Sequence, residues 1–177
     1  IEVRYETHVG CEEMRAIAAT HDAVYIAIGA HVGKKLRLEG ADAVGVSSAV
    51  DLLRGIGDGQ IPDFTGKKVA VIGGGNVAMD CARTSVRAGA KEVSVVYRRR
   101  LEDMTALPSE VESAIGEGVE MMTLMSPVAI EADETGHCRA LVVQPQMIGP
   151  VRKGRPAPVD ASKPQQRVEA DIILIAV

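Results

Sequence analysis

The sequence predicts an α/β fold with a parallel sheet at its centre. Near-continuous aliphatic runs at 67–72 and 171–177 are typical of strands that are covered on both faces, as the strands of parallel sheets are. Between Lys67 and Tyr97, a strand, a helix and a second strand follow one another within the ~30 residues of a complete β-α-β unit, whose crossover is right-handed. The length of 177 residues allows one full domain and part of a second.

Composition excludes several classes of protein. Hydrophobic residues make up 46% of the chain and charged residues 25%, which is ordinary globular usage and argues against a disordered chain. Three tyrosines, one phenylalanine and no tryptophan offer almost no platform for stacked bases, and the net charge of -4 argues against a phosphate backbone as the main partner. No apolar run approaches the ~20 residues that span a bilayer. We therefore expect neither a nucleic acid nor a membrane as a partner.

The N-terminal third is predicted to hold two strands, a helix and a linker. Residues 2–6 alternate in the manner of a strand, and 11–19 carry apolar residues at helical spacing. The run 22–29 is aliphatic and ends in glycine, which predicts a buried parallel strand. From 30 to 66, glycine and aspartate punctuate the sequence around one short helical piece at 49–53, so this stretch is expected to be a crossover linker.

Strands and helices alternate through the middle of the chain. The predicted order is strand 67–72, helix 76–88, strand 93–97, helix 109–115 and strand 119–124. Gly89 stands where a helix commonly ends in a left-handed residue, so it is the expected C-terminal cap of the first of these helices.

The last third is predicted to add antiparallel structure. Two short strands, 128–132 and 139–143, flank an Asp-Glu-Thr-Gly turn and predict a β hairpin. The stretch 144–166 contains five prolines and four basic residues, and we expect an exposed, mobile loop there rather than a partner site. The final strand, 171–177, repeats the pattern of 22–28 but stops where the first copy continues into glycine. We therefore expect the parent protein to continue beyond this point.

A glycine loop between the strand at 67–72 and the helix at 76–88 is the motif that carries chemistry. Gly73-x-Gly75-x-x-Ala78 in this setting is a dinucleotide-binding fingerprint. Gly73 permits the tight turn, Gly75 lets the backbone approach a pyrophosphate, and Ala78 lets the helix pack closely on the strand. The free N–H groups of the first helical turn face the negative charge of the ligand. This predicts a Rossmann-like domain, and the alternative is a glycine turn without a ligand.

The end of the strand at 93–97 predicts which nucleotide binds. An NAD site usually has an acid there, about 20 residues beyond the glycines, to hold the ribose 2′-hydroxyl. This chain instead has Arg98, Arg99 and Arg100, whose guanidinium groups suit a 2′-phosphate. We therefore predict NADP(H), with Arg98 and Arg99 as the main contacts. The alternative is a solvated run of charges that happens to end a strand.

We find no catalytic acid, base or nucleophile and predict no metal site. The candidate acids belong to the solvated face of a helix or its flank: Glu102, Asp103, Glu110 and Glu112. The histidines share no metal-ligand spacing and are expected at the surface: His8, His21, His31 and His137. Cys81 is expected to be a small packing residue. The three cysteines form no C-x-x-C pair, and their odd, sparse number favours a reducing compartment, the cytoplasm.

Several ordered motifs extend this interpretation. They are GGGNVAMDCAR at 73–83, VYRRR at 96–100, PSEVE at 108–112 and EGVE at 117–120. Together with 22–30 and 171–177, they resemble the glutamate synthase small-subunit (beta chain) family and related NADPH-dependent FAD oxidoreductases of the pyridine nucleotide-disulfide oxidoreductase type. The resemblance covers nearly the whole chain.

The resemblance implies a domain organisation and a set of partners. In this family an NAD(P)H domain is inserted into an FAD domain, so 1–60 would be the closing part of an FAD-domain segment with its crossover linker. Residues 61–177 would then be the NAD(P)H-binding domain, truncated at its C-terminus. The parent would bind NADP(H) and FAD, with iron–sulfur clusters in itself or a partner. Its partners would be the rest of the FAD domain and a larger catalytic subunit or domain.

The resemblance also implies the residues of the cofactor site. They are Gly73, Gly74, Gly75, Asn76, Val77, Ala78, Arg98, Arg99, Arg100, Thr105 and Ala176. Thr105 stands in the turn after the second strand, where some relatives carry a basic residue.

Hydride transfer between NADPH and FAD is the function we expect of the parent. The cofactors carry that chemistry and the protein orients them, so the lack of an acid–base residue is expected. The chain alone is then expected to be inactive. One alternative is a stand-alone NADP-dependent dehydrogenase, which would need a general acid or base. Another is a non-catalytic module for nucleotide sensing or subunit contact.

Overall fold

The computed structural model describes residues 1–29, 32–152 and 154–177. The chain forms two units, divided between residues 30 and 31. His31, one of the histidines considered above, lies outside the described residues, as does Lys153 in the proline-rich stretch.

The first unit contains one helix, α1 (Cys11–Thr20), which confirms the helix predicted at 11–19. The strands predicted at 2–6 and 22–29 are wrong, because neither segment is a strand in the structure. A strand exists only when its N–H and C=O groups bond to a neighbouring strand, and within 1–29 neither segment has one. The aliphatic pattern at 22–29 indicated a segment suited to burial, but it carried no information about a pairing partner.

The second unit alternates strands and helices before its antiparallel portion. In chain order its elements are β1 (Val46–Ser48), α2 (Ala49–Gly57), β2 (Lys68–Ile72), α3 (Asn76–Arg87), β3 (Glu92–Tyr97), a 3₁₀ turn (Leu101–Asp103), α4 (Pro108–Gly116), β4 (Glu120–Thr123), β5 (Met125–Ala132), β6 (Cys138–Arg152), β7 (Arg155–Asp160), β8 (Gln166–Glu169) and β9 (Ile172–Ile175). The order predicted for 67–124 is confirmed, with boundaries shifted by a residue or so. Gly89 has a φ of +89°, as expected of a left-handed residue after α3.

Five parallel strands form the central sheet, in the order β1-β9-β2-β3-β4. Ala70 in the middle of β2 pairs with Ser94 of β3 on one side and with Ile173 of β9 on the other. From β2, the next two parallel strands along the chain, β3 and β4, are added on one side of β2. The last strand, β9, then pairs with the other side of β2. In open α/β sheets, ligands bind outside the carboxyl ends of the strands at such a reversal of order.

The stretch 30–66, predicted to be a linker, also contributes to this sheet. The short edge strand β1 pairs with β9, and α2 is longer than the helical piece predicted at 49–53. β1 could not be predicted from the sequence, because its three residues are too few to show the alternating apolar and polar pattern of a strand.

The two faces of the central sheet are covered differently. Val69 and Val71 of β2 point into a core that includes α3 and α4, whereas Ala70 and Ile72 point into a second core shared with the antiparallel strands. On the helical face, three small residues of α3 are completely buried: Ala78, Ala82 and Ser85. They let the helix lie close on the sheet, as predicted. The α/β class with an added antiparallel portion is therefore confirmed.

The antiparallel strands centre on β6, which is hydrogen-bonded to β5, β7 and β8. The hairpin predicted around Asp133–Gly136 is confirmed as the β5–β6 connection. The loop predicted at 144–166 is wrong, because β6 continues to Arg152 and β7 returns beside it.

The prolines of this stretch are compatible with the β6–β7 hairpin for a physical reason. Proline lacks a backbone N–H and is tolerated on edge strands and at bulges. Pro156 and Pro158 lie on β7, which pairs only with β6 among the described residues, and Pro150 lies at a register shift between Ile148 and Val151. Among the residues that the structure describes, no helix is both long enough and apolar enough to cross a membrane.

Candidate functional site

A cavity of about 700 Å³ lies at the carboxyl ends of the parallel strands in the second unit. Ile72 at the end of β2, Tyr97 at the end of β3 and Ile175 at the end of β9 are among its lining residues. The volume falls within the usual range for small-molecule sites, and the location is the reversal of strand order described above.

Two glycines of the loop between β2 and α3 are required by neighbouring protein atoms. Gly73 has a φ of +153°, and a Cβ there would collide with the carbonyl oxygen of Ala176. At Gly74, a Cβ would lie 2.5 Å from the ring of Tyr97. These two glycines therefore allow the loop to pass between the end of β9 and the tyrosine.

Gly75 is different, because nothing in the described chain requires a glycine there. Its φ of -104° is open to any residue, and a Cβ would meet only Thr105 Oγ1, at an ordinary contact distance of 3.4 Å. Gly75 lines the cavity, so its missing side chain leaves space on the cavity side. A ligand that comes close to the backbone would use that space.

The segment after β3 holds the glycine loop in place. The backbone N–H groups of Thr105 and Ala106 donate to Gly74 O, at 2.9 and 3.0 Å. The side chain of Asn76 accepts a hydrogen bond at Oδ1 from the backbone N–H of Leu107, at 2.9 Å. Asn76 opens α3, which has no side-chain cap, so the first turn of the helix presents free N–H groups beside the cavity.

The charged side chains on the described cavity lining are all of one sign. Among the described lining residues there are four cationic side chains and no acidic one; the cations are Lys34, Arg98, Arg99 and Arg155. The Arg98 side chain makes no hydrogen bond or ion pair with any described residue, whereas Arg99 Nε donates to Pro156 O at 3.2 Å. Such a lining attracts an anion.

Arg100 is held by carboxylates instead. It pairs with Glu102 at 2.7 Å and with Asp103 at 2.8 Å, and it does not line the cavity. The hydrogen bond between Arg100 and Asp103 raises the pKa of the guanidinium and holds the pKa of the carboxyl below its usual value. Of the three arginines predicted from the sequence, the structure brings two to the cavity.

The other predicted site residues are placed as follows. Those that line the cavity are Gly73, Gly74, Gly75, Asn76, Val77, Thr105 and Ala176. Ala78 is fully buried in the core beneath the loop, the packing position expected of it. Cys81 is also buried, and burial raises the pKa of its thiol to about 12, which supports a packing role. The described residues include no group of three or more His, Cys, Asp or Glu side chains that could hold a metal ion.

Two cationic lining residues, Lys34 and Arg155, were missed by sequence reasoning. Both lie in stretches interpreted as connections, and neither belongs to a recognisable motif. The basic character of 144–166 was visible in the sequence, but only the β6–β7 hairpin brings Arg155 to the cavity.

The different environments of Gly74 and Gly75 lead to a stability prediction. Gly74→Ala should lower the free energy of unfolding by about 1–3 kcal/mol, because the new Cβ must displace the Tyr97 ring. That ring is itself held by a hydrogen bond from its hydroxyl to Asp103 O, at 2.8 Å. Gly75→Ala is the matched control and should cost less than about 1 kcal/mol. Urea denaturation of the two variants measures this difference, and equal losses would contradict the assigned role of Gly74.

Comparisons with known proteins show the family and the fold that the chain is similar to. A family model described as pyridine nucleotide-disulphide oxidoreductase matches residues 3–177. The chain is 36% identical to the NADP(+)-dependent formate dehydrogenase subunit beta of Moorella thermoacetica, over 100% of this chain and 26% of that protein. It is 35% identical to the glutamate synthase [NADPH] small chain of Escherichia coli K12, over 99% of this chain and 40% of that protein. The chain thus spans between about a quarter and two fifths of these relatives.

A solved structure shows the same fold. FprA of Mycobacterium tuberculosis, in complex with NADPH, superposes with a TM-score of 0.75 over 92% of this chain and 51% of FprA, at 19% identity. The fold is thus the Rossmann-like type found in reductases.

Proposed function

The chain belongs to the pyridine nucleotide-disulphide oxidoreductase family, and from this premise we propose that its second unit binds NADP(H) in the cavity and orients it for hydride transfer to a flavin of the parent protein. The proposal includes the division into a segment of an FAD domain, 1–60, and an NAD(P)H domain, 61–177. It also includes iron–sulfur clusters in the parent or a partner, and a larger catalytic subunit or domain as partner. A curated relative that matches this chain is named as the small chain of an NADPH-dependent glutamate synthase, which supports a similar role for the parent.

The observation that carries this proposal is the space at Gly75. A glycine that the protein does not need for its own packing lies at the start of α3, where backbone N–H groups are free to bind an anion. A pyrophosphate is the anion that best fits a backbone cradle at this point of an α/β sheet. The residues present therefore fit a dinucleotide.

Cofactor choice is assigned to Arg98 and Arg99. Both line the cavity at the end of β3, where the 2′-position of the adenosine ribose is expected, and no acidic side chain among the described residues lines the cavity to hold a 2′-hydroxyl. Two guanidinium groups bind a 2′-phosphate with charge-assisted hydrogen bonds. Arg100 is already paired with two carboxylates, so we assign it to positioning the turn after β3 rather than to the phosphate.

The residues of this chain act by binding and orientation. When bound, NADPH supplies the hydride. Gly75 and the first turn of α3 fix the pyrophosphate, and Thr105 to Leu107 fix the loop that carries Gly75. No carboxylate, imidazole or thiol side chain among the described residues lines the cavity, which suits a transfer that requires no proton donor from this chain.

The test of this proposal uses the purified chain. We expect it to bind one NADPH per chain in calorimetry, to be colourless, and to show no NADPH-dependent reduction of ferricyanide. The reason is that the proposed flavin site requires the rest of the FAD domain. Stoichiometric FAD that survives purification and dialysis would overturn the domain assignment.

Two other outcomes would favour the alternative functions. NADPH oxidation by the chain with a small substrate and no flavin would favour a stand-alone dehydrogenase. Tight nucleotide binding without any redox reaction in the full-length parent would favour a sensing or subunit-contact module.

A further inference from the structure

The first residue of β7, Arg155, lies at the cavity. β6 ends at Arg152 and β7 begins at Arg155, and Arg155 lines the same cavity as Arg98 and Arg99. The next residue, Pro156, accepts the hydrogen bond from Arg99 Nε at 3.2 Å. The hairpin therefore meets the site on the side where β3 ends, which is the side expected to hold the 2′-position of the adenosine ribose.

The hairpin is anchored to the arginine segment. The backbone N–H of Leu124 donates to Arg99 O at 2.9 Å, and the backbone N–H of Gln146 in β6 donates to Leu124 O at 2.7 Å. The side chain of Gln146 is buried and donates from Nε2 to Asp160 Oδ1 of β7 at 2.7 Å. These bonds join both strands of the hairpin to the residues that follow β3, so the position of Arg155 depends on the same structure that places Arg99.

The charge of Arg155 has no compensating partner among the described residues. The Arg155 side chain makes no hydrogen bond or ion pair with any described residue, and the other ionic side chains that line the cavity among the described residues are also cationic. Like charges that converge on one cavity repel each other, and an anion between them removes that cost. Arg100 shows the contrasting arrangement, since two carboxylates neutralise it.

We propose that Arg155 is a specificity-determining residue, which binds the 2′-phosphate of NADP(H) together with Arg98 and Arg99. The β6–β7 hairpin then forms a third side of the adenosine end of the site, beside β3 and the glycine loop. This inference rests on the proposed function and adds to it a residue from a distant part of the chain.

The experiment compares Arg155→Ala with Arg152→Ala. Arg152 pairs with Arg155 across the hairpin and is also exposed, but it does not line the cavity. The probes are adenosine 2′,5′-bisphosphate and AMP, which differ only in the 2′-phosphate, and their dissociation constants are measured by calorimetry on this chain. Arg155→Ala should weaken the bisphosphate about three- to tenfold and leave AMP within about twofold, whereas Arg152→Ala should change neither. Because the Arg155 side chain has no partner among the described residues, the melting temperature should be unchanged.

The outcomes separate this inference from the proposed function. If Arg155→Ala behaves like Arg152→Ala while the joint replacement of Arg98 and Arg99 still weakens the bisphosphate, the role of Arg155 is overturned and the NADP(H) site stands. If Arg155→Ala weakens the binding of both probes equally, the residue does not bind the 2′-phosphate specifically, and the inference is again overturned. If the unmutated chain binds the two probes equally, the NADP(H) assignment itself fails.

Discussion

Replacing Arg98 and Arg99 together by alanine should remove most of the preference for NADPH over NADH and leave the affinity for NADH nearly unaltered. The unmutated chain should favour NADPH by about tenfold to several hundredfold, because charge-assisted hydrogen bonds to the 2′-phosphate are strong even at a partly exposed site. NADH has no 2′-phosphate, so it loses no contact when the arginines are removed. Calorimetric dissociation constants for both nucleotides, with both proteins, measure the effect.

The structure supplies a matched control for this prediction. Arg100→Ala removes a neighbouring arginine that pairs with Glu102 and Asp103 and does not line the cavity. We expect it to change the nucleotide preference by less than about twofold. The preference of the unmutated chain should also weaken as salt is added, since ions screen exposed charges. Equal affinities for NADPH and NADH in the unmutated chain, or equal losses of both in the double variant, would show that the arginines are a solvated charge run.

Gly75→Val should weaken the binding of NADPH and NADH together, by about ten- to a hundredfold, while the fold survives. Both nucleotides share the pyrophosphate, and the branched side chain would occupy the space that the pyrophosphate needs. The fold should tolerate valine because the backbone angles at Gly75 are ordinary and the nearest atom to a Cβ is 3.4 Å away. Calorimetry gives the two affinities, and circular dichroism with thermal melting checks the fold.

A second glycine serves as the control for that variant. Gly116 ends α4, has no atom within 4 Å of a Cβ position and does not line the cavity. Gly116→Val should therefore bind both nucleotides like the unmutated chain. Unchanged affinity in Gly75→Val would place the nucleotide elsewhere, and a loss confined to NADPH would contradict a role in holding the shared pyrophosphate.

Sequence reasoning worked where the structure is local. The unit from Lys67 to Tyr97 is contiguous, so its strand period, its glycine loop and its helix cap could all be interpreted together, and the structure confirms the elements. The same holds for the hairpin turn at 133–136, where the turn residues lie between the strands that they connect. The residues of the glycine loop, Gly73 to Gly75, line the cavity.

The failures involve contacts between distant parts of the chain. The segment 22–29 has the composition of a buried strand, but composition does not provide a pairing partner. The stretch 144–166 contains prolines that suggest a loop, but the tolerance of an edge strand for proline becomes visible only once β7 is paired with β6. Arg155 gave no signal in the sequence, because only the pairing of β7 with β6 brings it to the cavity.

The sequence by itself determined the α/β class, the β-α-β unit, the glycine loop at the head of α3 and the arginines that end β3. These features could be predicted because the residues that form each of them are neighbours in the chain. Hydrophobic periodicity and turn residues indicate the conformation of neighbouring residues. Only the tertiary structure decided that Gly75, unlike Gly73 and Gly74, is free of packing constraints, and that the β6–β7 hairpin places Arg155 at the cavity. These properties depend on which distant atoms come within a few ångströms of one another, and that information exists only once the chain has folded.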